Sequence, residues 1–118
     1  MTSYITNLGL NRITALIQAD IYHGKMGTDN TAPNTTQTDL VAGVAATDLA
    51  TTESRTGNNI TVTYQLSNAV GTGNSYKEIK WTVNSSSETM LVRNIIPSYS
   101  HTTSKNLTIL KQFRIRAV

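Results

Sequence analysis

The chain is 118 residues long, carries a formal net charge of +3 and has no cysteine, a length suited to one domain with one core. Without cysteine, disulfides, thiolate catalysis and cysteine-ligated zinc or iron–sulfur sites are excluded. Hydrophobic residues make up 38% and charged residues 14%, while 20 Thr, 11 Asn and 10 Ser fill over a third of the chain. Low charge with so many β-branched Thr excludes a disordered chain and indicates a mainly β fold with polar strand faces and many turns.

A pI near 9.4 rests on ten basic against seven acidic residues. That surplus attracts polyanions weakly and does not make a dedicated nucleic-acid surface. No apolar stretch is long enough to span a bilayer, so no membrane partner is expected. The opening Met-Thr-Ser-Tyr-Ile-Thr-Asn has no basic region and no apolar run, so no signal peptide is expected and synthesis is cytoplasmic. Sequons at Asn34, Asn59, Asn84 and Asn106 match chance in a chain this rich in Asn, Ser and Thr.

Residues 6–20 read as the one N-terminal helix. Ile13, Leu16, Ile17 and Ile21 recur at three- and four-residue spacing, with Leu8 and Leu10 earlier, and Thr6 or Asn7 can cap the start. So short a helix is marginal in water, so its stripe is expected to rest on a sheet. Residues 21–26 form a short strand with Tyr22, Gly24 and Met26 on one face. Gly27 to Thr38 has no large apolar residue and reads as an exposed loop. Asp39 can cap a single turn through Leu40 and Val41. Residues 43–56 fit helix or edge strand, with strand slightly favoured.

From residue 59 the period becomes two. Ile60, Val62, Tyr64 and Leu66 alternate with Thr61, Thr63, Gln65 and Ser67, the pattern of a half-buried strand. Gly71 and Gly73 read as a hairpin connection. Lys77, Ile79, Trp81 and Val83 then alternate with Tyr76, Glu78, Lys80 and Thr82. A third strand covers Met90–Ile96 and closes at Pro97. The last runs from Leu107 to Ala117, with Leu107, Ile109, Phe113 and Ile115 on one side and Arg114 and Arg116 on the other. The expected fold is therefore a single antiparallel β-sandwich with the helix covering one face or end.

No constellation for catalysis is visible. The two His, His23 in a strand and His101 in a polar loop, read as a half-exposed and a solvated side chain. Asp29, Asn30 and Thr31 offer oxygens, but the spacing of a calcium loop and its closing Glu are absent, so no metal ligand and no cofactor is assigned. Gly71-Thr-Gly73 leads into a strand, which argues against a phosphate cradle. The basic residues Lys111, Arg114 and Arg116 lack interleaved aromatics, so nucleic acid is not expected as a partner. Charged strand faces of this kind belong to solvent, a protected edge or a subunit rim. Thr-rich faces suit tight packing between identical subunits.

The order of features resembles small virion proteins of tailed bacteriophages and archaeal viruses, of the tail-fibre or baseplate-associated type. The likeness rests on Asn7-Leu-Gly9 before the helix, Tyr22 in the short strand, Gly27-Thr28, Ala32-Pro33, Thr38-Asp39-Leu40, Glu78-Ile79, Leu91-Val-Arg93 and the closing Leu107–Val118. Those relatives carry Gly-Thr-Gly where this chain has Gly27-Thr-Asp29, and place Glu and Arg sooner after the loop than Glu53 and Arg55 stand here. The resemblance implies a non-enzymatic virion component, assembled in the host cytoplasm, whose partners are copies of itself and other virion proteins. Thr28, Asp29, Asn30, Arg114 and Arg116 are the candidate subunit-contact residues. Two alternatives accompany this expectation. One is a capsid decoration or head–tail adaptor protein. The other, of a different class, is a carbohydrate-binding module that stacks a host-surface glycan on Trp81 and Tyr64, against the expectation from parity that Trp81 is core.

Overall fold

The structure is a computed structural model and describes residues 4–116. Helix α1 spans Asn7–Asp20 and is capped by Thr6, whose hydroxyl accepts the Gly9 N–H at 3.0 Å, relieving one of the orphan donors of the first turn. It ends where Ile21 turns extended (φ −63°, ψ 134°) and passes directly into β1, Ile21–Gly27. A long loop and a 3-10 turn at Ala45–Thr47 lead to β2 (Leu49–Ala50) and β3 (Thr52–Thr56). There follow β4 (Asn59–Leu66), β5 (Ser75–Val83), β6 (Thr89–Ser100) and β7 (Leu107–Arg114).

The strands form two antiparallel sheets, one in the order β2-β1-β5-β6 and one in the order β3-β4-β7. Together with α1 they make the expected mainly β sandwich-like fold. Between the sheets lie Ile60, Val62, Tyr64 and Leu66 from β4, Ile79 and Trp81 from β5, and Ile21 and Met26 from β1. Each large apolar side chain buried here contributes about 1.5–3 kcal/mol. Tyr64 meets Trp81 edge to face, with ring centroids 6.4 Å apart. The polar ends of both rings are satisfied: Tyr64 donates to the Thr47 carbonyl at 2.7 Å and Trp81 Nε1 donates to Asn94 Oδ1 at 3.1 Å. Gly24 leaves room for the Tyr64 ring; a Cβ there would sit 2.6 Å from Cδ2.

The structure differs from the sequence reading at several points. Residues 67–74 are not a hairpin, because β4 and β5 belong to different sheets; Gly71 and Gly73 (φ 63° and 86°) turn the chain across from one sheet to the other. Strand β6 does not close at Pro97 but runs on to Ser100. It is an edge strand, and its register against β5 slips between Tyr76 and Glu78, so a residue without an N–H is tolerated there. Residues 43–56 resolve into the 3-10 turn and two strands. Asp39 starts no helical turn; its carboxylate accepts the Leu40 N–H instead. Strand β7 ends at Arg114, short of the expected Ala117: Ile115 and Arg116 follow outside any strand, and Ala117 lies outside the described residues.

Candidate functional site

The outer face of the four-stranded sheet carries a row of cations. Lys25 on β1 stands opposite Lys80 on β5, and Lys80 stands opposite Arg93 on β6. Like charges directly across a ladder repel, so this row needs anions. Glu78, on the same face of β5, supplies one: its Oε1 accepts from Arg93 Nε at 3.0 Å. Asp39 supplies another, accepting from Lys80 Nζ at 2.7 Å.

These charges dock residues 28–42 onto the sheet as a compact loop. The loop is closed at its base by the Gly27–Gly43 bridge and by Thr28 N–H donating to the Ala42 carbonyl at 3.0 Å. Glu78 accepts three loop N–H groups, from Asp29 (2.9 Å), Val41 (3.0 Å) and Ala42 (3.1 Å). Arg93 Nη1 donates to the Thr31 carbonyl at 2.7 Å. Hydrogen bonding from Lys80 holds the Asp39 carboxyl below its ordinary range against partial desolvation. Hydrogen bonding from Thr31 does the same for Asp29, with Arg93 and Lys77 adding attraction. The result is a rigidly anchored base under a neutral tip in which Asn30 to Thr36 are exposed.

The candidate contact residues are distributed unevenly on this frame. Thr28 and Asp29 are half-buried at the loop base and turned to its anchoring, and only Asn30 of the three is exposed. Arg114 and Arg116 are exposed at the end of β7, an edge of the other sheet, where Asn58 ties the chain down through Ile115. The structure does not gather these five into one patch. Trp81 and Tyr64 are 1% and 0% exposed. A stacking platform needs an open ring face, and both rings are used in the core instead, as parity indicated for Trp81.

Several exposed apolar side chains lie together on α1 and just before it. Thr14 is buried and Ile17 packs against the core, and Thr14 donates back to the Leu10 carbonyl. Leu8, Ile13 and Leu16 are 83%, 41% and 55% exposed, with Tyr4 and Ile5 also exposed just before the helix. Ile13, Leu16, Ile17, Ala19 and Asp20 line a shallow groove along it. The stripe expected to rest on the sheet is thus only partly covered, and the helix is apolar on sides that face solvent.

Of the two His, His101 is not solvated but buried, with Nε2 2.9 Å from the Ser67 carbonyl and Nδ1 3.1 Å from the Tyr99 hydroxyl. His23 is half-buried, stacked on Tyr22 and facing Asp48 and Glu88. Sequence reasoning missed these two carboxylates and the whole Glu78–Arg93 anchor. Parity placed Glu78 and Lys80 on one face, but no signal showed that a loop covers it. Among the described residues no helix is long and apolar enough to cross a membrane. No protein-family model, curated protein or solved structure matches this chain.

Proposed function

We propose that this chain is a non-enzymatic structural protein that assembles with copies of itself through helix α1, in the role of a tail-associated virion component. The observation that carries the reading is the exposure of Leu8, Ile13 and Leu16 on a helix whose only charged residues are Arg12 and Asp20. A helix that is apolar on most sides is stable when covered on most sides. The sandwich covers one side, and a neighbouring subunit covers the rest. The anchored loop, with its uncharged Thr/Asn tip, adds a second surface that can meet a neighbour with little desolvation cost. The order of short motifs that resembles tail-fibre and baseplate-associated proteins supplies the virion context. A capsid decoration or adaptor role uses the same contact chemistry and differs in location.

Solution mass measured over a range of concentrations, with electron microscopy of the assembled material, tests the proposal. Discrete rings, trimers or lattices support it. A protein that stays at 12.8 kDa and forms no ordered particle contradicts it. Labelled protein found at the tail rather than the head of a particle separates the two virion roles.

A further inference from the structure

We infer that His23, Asp48 and Glu88 form a binding site for a first-row divalent metal ion of the zinc type. The three residues come from separate elements. His23 lies on β1, Asp48 follows the 3-10 turn, and Glu88 sits in the turn that opens β6. Each is held by its own backbone. The His23 N–H donates to Thr82 Oγ1 at 3.1 Å and its carbonyl accepts from the same hydroxyl at 3.2 Å. The Asp48 N–H donates to the Ala45 carbonyl, and the Glu88 N–H to the Asn84 carbonyl at 2.7 Å.

His23 Nδ1 lies 2.9 Å from Asp48 Oδ1 and 3.5 Å from Glu88 Oε1, and all three atoms lie within 4.8 Å of one another. Zinc bonds of about 2.0–2.1 Å to nitrogen and oxygen place tetrahedral ligand atoms about 3.3 Å apart, so small side-chain shifts bring the three around one ion. The charge balance points the same way. Nδ1 carries at most one proton, and that proton can be directed at Asp48 or at Glu88 but not fully at both. No Lys or Arg among the described residues pairs with either carboxylate. Two carboxylates therefore converge on one imidazole that hydrogen-bonds fully to only one of them and leaves the other to solvent. A divalent ion on the Nδ1 lone pair satisfies both.

One imidazole with two carboxylates suits zinc or a neighbouring first-row ion. Calcium and magnesium favour all-oxygen shells. Side-chain exposures of 19%, 30% and 41% leave an open side for water to complete the shell. Bound there, the ion ties β1, the segment before β2 and the β5–β6 turn together. This inference does not depend on the assembly role.

The test is titration of EDTA-stripped protein with zinc chloride, followed by NMR of the imidazole nitrogens and by thermal melting. The expected result is one equivalent bound, with the His23 Nδ1 resonance moving and the His101 ring unaffected. The melting temperature rises with zinc concentration, as ligand linkage requires, and calcium at the same concentration gives no rise. Glu88→Gln lies in an exposed turn and keeps the fold, and it weakens zinc binding at least tenfold; Asp48→Asn does the same. The inference is overturned by an unmoved His23 resonance, by zinc affinity unchanged in Glu88→Gln, by a response at His101 instead, or by an equal response to calcium.

Discussion

Glu78 and Arg93 meet through Oε1 and Nε at 3.0 Å with side chains 0% and 1% exposed, so an ion pair lies buried on what would otherwise be the solvent face of a sheet. Removing one partner from such a pair leaves an uncompensated charge. Arg93→Met leaves the Glu78 carboxylate under the loop with three N–H donors and no cation. The expected cost is about 3–5 kcal/mol, measured by urea denaturation. Replacing Glu78 by Gln as well should restore part of the loss, because the uncompensated charge is then gone. A cost below about 1 kcal/mol for Arg93→Met, the size of an exposed pair, would contradict a buried anchor at this position.

Gly24→Ala and Gly57→Ala test two different uses of glycine. At Gly24 a Cβ would stand 2.6 Å from the Tyr64 ring, and the core must shift to admit it, at about 1–3 kcal/mol. Near Gly57 a Cβ meets nothing within 4 Å, but φ is +60°, so the expected loss is backbone strain of about 1–2 kcal/mol. Near-ultraviolet circular dichroism separates the two, since only Gly24→Ala disturbs the Tyr64–Trp81 pair.

Acid should release the loop in a defined range. The carboxyls of Asp39 and Asp29 are both held below the ordinary value of 3.8 by hydrogen bonding, from Lys80 and Thr31 respectively. A folded pKa depressed below the unfolded one contributes stability that is complete above 3.8 and is lost as pH falls through the lower folded values. Amide NMR signals of residues 28–42 are expected to hold steady from pH 7 to about pH 5 and to move below about pH 4. Loss of the loop's signals near neutral pH would contradict this.

Much of the framework was legible in the chain. The alternation of Ile60, Val62, Tyr64 and Leu66 and the parity of Ile79 and Trp81 follow from the pleat, which repeats every two residues wherever one face is buried. The anchored loop was not legible, because its partners are far apart in sequence. Asp29 reaches Glu78 across 49 residues, and Val41 and Ala42 reach it across 37 and 36. Local composition marked residues 28–38 as polar, and a polar loop docked on charges reads the same as one in water. His101 was misread for a related reason. The crossing segment that buries it folds back from Ser67 and Gly73, which a hairpin reading left out. The carboxylates around His23 belong to segments whose contacts only the three-dimensional arrangement reveals.

Sedimentation velocity on the wild type beside Leu8→Glu/Leu16→Glu tests most directly whether helix α1 is an assembly surface. Both leucines are solvent-exposed in the single subunit, so the variant should keep its circular dichroism spectrum and stability. The wild type is expected to sediment above the 12.8 kDa monomer and the variant as the monomer. Identical sedimentation of the two proteins, whether both monomeric or both assembled, would contradict assembly through α1.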